Sequence, residues 1–267
     1  MSKDYFSYNP GTFPADSFRI SPSQLSRFFD TTSQWWREFF FGEAPAFTGS
    51  TASHLGTCVH AAAAMYHDSQ SIDHAAILAY IDSLPSDIDK AEIRFQYPLM
   101  ANTLISSYLS RNTHTYSEEF VSYELLPNIF VGGSIDASTP NIVVDYKTTS
   151  AKTAPTSFPR PYYFQLLTYA WLLRKQGRPI DQLRLVYVTR TIDGGYSEKT
   201  GNKLKDYPST CTVLNHLITP ADWDLIDGCL NLIAESIAFA KANPQYLYLL
   251  MQDYRTKLPP TPILFKD

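Results

Sequence analysis

The run from Glu118 to Thr148 limits the fold more than any other stretch of the chain. Residues 118–126 (EEFVSYELL), 129–137 (IFVGGSIDA) and 141–148 (NIVVDYKT) are short and rich in β-branched and aromatic side chains. They are separated by Pro-Asn and Thr-Pro-Asn. Segments of that length and type, punctuated by turn residues, predict three strands in an antiparallel meander. A Pro-marked loop at 150–161 follows, then a helix over about 161–175 ending near Gly177, and a strand over Leu183–Arg190. This order of three strands, helix and strand, preceded by helices, predicts an α+β fold with a mixed sheet rather than strict βα alternation.

Ahead of the meander, residues 1–20 read as an extended arm containing Pro10, Gly11 and Pro14. Ser21, Pro22 and Gln24 form a helix-start signature. Leu25, Phe28, Phe29, Thr32, Trp36, Phe39 and Phe40 follow at helical spacing, with Gly42 placed to close the helix. That aromatic stripe is core packing by default; Trp35 and Trp36 as base-stacking groups is the alternative. Further helices are expected over about 52–68, 71–83 and 87–110. Beyond the last core strand, 193–208 reads as an exposed loop, 211–218 as a strand, and Thr219-Pro220 as the cap of a helix reaching about 242. The domain reading is an arm (1–20) and one domain (21–267). Within that domain lie a helical part (about 21–115), a core (about 118–190) and a C-terminal strand and helix (about 210–250).

Composition narrows the class. At 267 residues and 44% hydrophobic, with abundant aromatics, the chain can bury a full core and does not read as disordered. No apolar run reaches membrane-spanning length, and MSKDYFSYNP lacks a signal-peptide core, so a soluble cytoplasmic protein without membrane contact is expected. Cys58, Cys211 and Cys229 form no C-x-x-C pair and read as reduced packing residues. The net charge of −4 neither advertises nucleic-acid binding nor excludes it, because local basic groups and bound metal set the field near a phosphate.

The chemistry concentrates in G-G-S-I-D-A-S-T-P-N-I-V-V-D-Y-K-T. Asp145 and Lys147 lie two apart on one strand and share a face, and a turn at Thr139–Asn141 brings Asp136 beside Asp145. Converging carboxylates need positive charge, and a divalent cation with oxygen ligands supplies it. D-x-K also occurs in inert sheets; the apolar Ile142, Val143 and Val144 around it favour a buried, paired or liganded site. On the following helix, Gln165 and Tyr169 share a face with Tyr162 and Leu172, either as phosphate- or lysine-binding groups or as an ordinary amphipathic boundary. His60, in G-T-C-V-H, reads by default as a packed histidine. Its small neighbours also let the helix approach the sheet closely enough for a metal ligand.

Together, G-x-x-V-H, G-x-x-D, D-x-K-T and Q-x-x-x-Y, in that order, resemble the motif series of RecB-like PD-(D/E)XK nucleases, a group that includes RecB and AddB-type nuclease domains and CRISPR adaptation exonucleases. The opening S-P-S-Q-L-S-R-F adds to the likeness, which covers roughly residues 21–190. The resemblance implies a restriction-endonuclease-like core acting as a metal-dependent deoxyribonuclease. It implies His60, Asp136, Asp145 and the Tyr146 carbonyl as ligands to Mg²⁺ or Mn²⁺. Lys147 would position the attacking water, Gln165 and Tyr169 would place substrate as in exonuclease-like members, and Glu124 is a weaker acidic candidate. The cysteines that bind an iron–sulfur cluster in many relatives have no counterparts here, so no cluster is expected. DNA ends in recombination, repair or phage DNA processing are the implied substrate, with a homo-oligomer, a helicase or a recombinase as the implied assembly. The rival readings are a non-cleaving DNA-binding protein or accessory subunit on the same fold, and an interaction scaffold whose motifs are coincidental.

Overall fold

The three apolar runs pair as β2 (Tyr116–Leu126), β3 (Ile129–Ser138) and β4 (Ile142–Thr149), an antiparallel meander in the expected order. Asn128 turns the first hairpin at φ 62°, a left-handed conformation that asparagine tolerates better than most residues. The computed structural model describes residues 4–6, 11–40, 49–196 and 199–246.

The complete sheet has six strands in the order β1-β3-β4-β5-β6, with β2 also on β3. The last three residues of the expected arm form β1 (Phe18–Ile20), parallel to the start of β3. β5 (Gln182–Thr189) runs parallel to β4 along its whole length, and β6 (Cys211–Leu217) closes the edge antiparallel to β5. On the side of β3 away from β2, β1 pairs with residues 129–131 and β4 with 137–138 only. Residues 132–136 of that edge therefore face no strand.

Helices cover both faces. α1 (Leu25–Asp30), α2 (Thr32–Phe40), α6 (Arg160–Lys175) and α7 (Pro220–Ala242) enclose one core, with Trp35, Trp36, Ile135, Val143, Leu167, Leu185 and Leu230 inside it. α3 (Thr51–Ser69), α4 (His74–Ser83) and α5 (Lys90–Ser107) enclose the other, around Leu55, Val59, Ile93, Met100, Ala137, Val144 and Val186. Because both faces are buried, β4 and β5 read as nearly continuous apolar runs rather than alternating ones. No helix among the described residues is long and apolar enough to cross a membrane.

The expected first helix is broken in two. The start signature makes a short 3₁₀ turn (Pro22–Gln24), in which Gln24 Oε1 accepts from the Ser21 amide at 3.1 Å. The break comes at Thr31 (φ −138°, ψ 54°). Thr31 Oγ1 and Thr32 Oγ1 donate to the carbonyls of Arg27 and Phe28, offering the backbone an alternative to a continued helix. Gly42, expected to close it, lies outside the described residues. α4 and α5 start three residues later than expected because Asp73 and Asp89 cap them, accepting from the amides of Ala76 and Glu92. The expected loop at 193–208 carries bridges Ile192–Tyr207 and Tyr196–Lys203, so it folds back on itself.

α7 begins with the anticipated cap. Asp222 accepts from the Thr219 amide (2.7 Å) and hydroxyl (2.9 Å), lies 2.9 Å from His216 Nε2, and accepts from the Tyr163 hydroxyl. Burial pushes this carboxyl up, but the bonds from Tyr163, Thr219 and His216 outweigh it and hold its pKa at about 2. A depressed folded-state pKa contributes stability above the unfolded value near 3.8 that is lost as pH falls toward 2. Asp222→Asn is therefore expected to lower the urea midpoint at pH 7, and the gap to wild type should narrow between pH 4 and pH 2. An unchanged gap across that window would show that the charge of Asp222 does not stabilise the fold.

Candidate active site

Four elements deliver the acidic cleft. α3 brings His60, β2 brings Glu118, β3 brings Asp136, and β4 brings Asp145 and Lys147, while α6 lays Gln165 and Tyr162 over β4. α3 comes close because its sheet-facing side is nearly bare: a Cβ on Gly56 would lie 3.4 Å from Thr148 Oγ1, and Ala61 to Ala64 follow at the buried face. His60 Nδ1 then lies 3.4 Å from Asp136 Oδ1.

Asp136 stands where β3 and β4 separate. The ladder ends at the Ala137–Val144 pair, so the next amide, Tyr146 N, donates to Asp136 Oδ2 at 2.7 Å instead of to a strand carbonyl. Ile135 packs in one core and Ala137 in the other although they are two residues apart, so β3 rotates at Asp136. Glu118, across from it on β2, has φ 53°. Both strands are irregular at the same level, and both irregularities turn carboxylates toward His60. Ligand atoms of His60, Glu118 and Asp136 lie within 4.8 Å of one another.

Asp145 faces the opposite way, toward α6. Its Oδ1 accepts from Lys147 Nζ at 2.9 Å and from Gln165 Nε2 at 3.1 Å. Oδ2 sits 2.8 Å from the same ammonium and is buried, with no hydrogen bond of its own among the described residues. Lys147 Nζ also lies 5.0 Å from the centre of the Tyr162 ring, a cation–π contact.

The charges interlock. Burial pushes the His60 imidazole down, but the adjacent Asp136 carboxylate outweighs it and raises the pKa to about 9. Burial pushes Asp136 up, and His60 with Lys147 brings it below the usual carboxylate range. Asp145 is raised to about 6, first by burial and then by Asp136, against the pull of Lys147. Burial pulls Lys147 down, and Asp145 and Asp136 more than restore it, so the ammonium stays charged.

A divalent ion fits this donor set. The mixed imidazole and carboxylate atoms of His60, Glu118 and Asp136 span a gap that an ion with bonds of roughly 2.0–2.6 Å can bridge. Asp145, whose Oδ2 lies 2.8 Å from the Lys147 ammonium, stands outside this set. To act as a ligand, His60 must give up its proton, so ion binding through it is coupled to pH.

Of the residues singled out in the sequence, His60, Lys147 and Gln165 line one cleft of about 620 Å³, with Asp136 against His60 and Asp145 against Lys147 and Gln165. Tyr146 contributes its amide to Asp136, and its side chain packs in the helical core on the other face. Tyr169 is buried, with its hydroxyl 2.9 Å from where a Gly133 Cβ would stand. It thus packs against the glycine of the G-x-x-D motif. Gly133→Ala is accordingly expected to destabilise by about 1–3 kcal/mol through overpacking against the Tyr169 hydroxyl and Pro22 Cδ, and Tyr169→Phe in the same chain should recover part of the loss. Additive losses in the denaturation midpoints of the double variant would contradict that contact.

Glu124 is elsewhere. It accepts from the Asn128 amide at 2.9 Å and serves the hairpin turn, six residues and roughly 20 Å along β2 from Glu118. The carboxylate that reaches the cluster is Glu118, which sequence reasoning missed. Counting back from the Pro127–Asn128 turn, with the one-residue bulge between Glu124 and Leu126, places Glu118 opposite Asp136.

Comparison with known proteins agrees with this architecture. Among solved structures, a candidate exonuclease from Eubacterium rectale is similar with a TM-score of 0.53 at 13% identity, covering 91% of this chain and 90% of that one. A phage-related exonuclease from Haemophilus somnus 129PT gives a TM-score of 0.44 at 12% identity, covering 82% and 97%. An alkaline exonuclease from Laribacter hongkongensis gives 0.35 at 14%, covering 70% and 89%. No curated protein sequence matches. The model of the PD-(D/E)XK nuclease superfamily matches residues 19–239, which include every element that carries the cluster. On that match, and on a sheet that opens where its acidic residues converge, the chain belongs to the PD-(D/E)XK nuclease superfamily.

Proposed function

We propose that this nuclease is a divalent-metal-dependent deoxyribonuclease acting from DNA ends, with Mg²⁺ or Mn²⁺ held by His60, Glu118 and Asp136 and with Asp145 and the Tyr146 carbonyl beside them. The carrying observation is the separation of labour between the two carboxylates: Asp136 joins His60 and Glu118, while Asp145 fixes Lys147. Hydrolysis adds water to phosphorus, breaks one P–O bond and leaves a proton to be taken up by the departing oxygen. The metal, when bound, supplies Lewis-acid charge at the phosphate and an acidified water.

The protein supplies the rest. Lys147, held on one side by Asp145 and below by the Tyr162 ring, offers a fixed ammonium to the phosphate oxygens and the attacking water. Because it stays protonated, it acts as a positioned charge and donor rather than as the base. Gln165 anchors Asp145 and borders the cleft, where its amide is in reach of substrate. Support for exonuclease action comes from the Gln165 and Tyr169 motif of exonuclease-like RecB-type members, and from the description of the Eubacterium rectale structure.

The test is cleavage of 5′-labelled and 3′-labelled linear DNA and of a covalently closed circle, with Mg²⁺, with Mn²⁺ and with a chelator. Metal-dependent loss of linear DNA alone is the expected result and would also give the polarity. Cutting of the circle would make it an endonuclease. Calorimetry with Mn²⁺ adds a check on the ligands: Asp136→Ala should bind far more weakly than wild type.

A further inference from the structure

We infer that the cavity beside the cutting cleft, between the start of α3 and the ends of β4 and β5, is a binding subsite for a second phosphate of the nucleic acid. The proposal rests on the nuclease reading above and extends its substrate contacts. The cavity, about 330 Å³, is lined by Ala52, Ser53, Thr148, Thr149, Ser150 and Arg190. Not one of these is acidic, in a chain whose net charge is −4 and whose neighbouring cleft is built on carboxylates.

Every functional side chain lining it can donate. Arg190 is mostly buried (19% exposed), and among the described residues its guanidinium makes a single long contact, 3.5 Å to Glu92, which leaves most of its fork of donors for an anion. The hydroxyls of Ser53, Thr148 and Ser150 make no hydrogen bond among the described residues. Such a set satisfies a phosphate oxyanion and offers a cation no carboxylate.

Position supplies the link to the reaction. Ala52, Ser53 and Thr148 line both this cavity and the cleft that holds His60 and Lys147, so the two are continuous. Thr149 is two residues beyond Lys147, about 7 Å along the strand, a separation suited to a neighbouring nucleotide. A phosphate held there fixes the register of the strand over Lys147. The same chemistry would hold an internal backbone phosphate or the phosphate at a chain end.

The experiment reads DNA binding by fluorescence anisotropy, with Ca²⁺ in place of a cleavage-supporting metal. It uses oligonucleotides carrying one uncharged methylphosphonate at successive positions, and duplexes with 5′-phosphate or 5′-hydroxyl ends. Arg190→Gln is expected to weaken binding about tenfold and to lower the salt slope by about one. One methylphosphonate position, or removal of the end phosphate, should weaken wild type similarly and leave Arg190→Gln unaffected; which of the two does so identifies the source of the phosphate. Glu92→Gln, which breaks the ion pair but spares the cavity, should bind at least as well as wild type. Equal sensitivity of wild type and Arg190→Gln at every position would overturn the subsite, as would a loss in Glu92→Gln as large as that in Arg190→Gln. Binding is read without cutting, so failure of the nuclease reading in the cleavage assay remains a separate result.

Discussion

Lys147→Met should slow DNA cleavage by about a thousandfold, the loss seen when one fixed donor to a developing anion is removed. Methionine keeps the unbranched stem as far as Cε and removes the ammonium that Asp145, Asp136 and the Tyr162 ring hold in place. The substitution also leaves Asp145 buried without its ammonium, which costs stability until that carboxyl, already raised to about 6, takes up a proton. Rates must therefore be compared at a temperature where circular dichroism shows both proteins folded. A folded variant that cuts within tenfold of wild type would remove Lys147 from the chemistry. Mn²⁺ binding supplies the complementary reading: it should survive in Lys147→Met, because the lysine faces Asp145 rather than the His60, Glu118 and Asp136 cluster.

The second large effect concerns the fold. Trp35 is 1% exposed, stacks on Phe39 with ring centres 4.5 Å apart, and meets Phe28 and Trp36 edge-on at 5.1 Å. Trp35→Ala should destabilise by about 3–5 kcal/mol, since with Trp36 it supplies the largest buried rings that hold α2 on the core. Trp35→Phe should cost far less, about 1 kcal/mol. It removes an indole N–H that is buried without a partner among the described residues, and an orphaned donor carries its own penalty of about 1–3 kcal/mol. Urea denaturation separates the two. Equal losses for Phe and Ala would mean that the indole nitrogen is bonded in solution, or that ring size alone governs the site.

What could be read from the sequence follows the reach of its periodicities. Asp145 and Lys147 share a face because strands repeat every two residues, and the Thr139–Asn141 turn sets Asp136 level with Asp145. The Thr219-Pro220 cap located α7 closely. Two features lay beyond that logic. The break at Thr31 arises from two hydroxyls competing for backbone carbonyls, an effect that the aromatic stripe running through it conceals. Glu118 reaches the cluster only because a bulge near Leu125 shifts the register and its own backbone turns left-handed. Neither feature has a signal in the pattern of apolar residues. The contact of the Tyr169 hydroxyl with Gly133 joins two motifs that the order of residues does not connect.

The parallel pairing of β1 with β3 also bears on the order in which the molecule assembles. It joins residues 18–20 to residues 129–131, a closure far more costly in chain entropy than the hairpins of the meander or the contacts among α3, α4 and α5. The local units are expected to form first, and the amino-terminal strand to dock on a sheet already made. A ribosome-bound chain has His60 early, but it lacks Lys147 and Gln165 until the fourth strand and the helix after it have emerged. Cutting competence therefore cannot arrive before β4 and α6 have both been made.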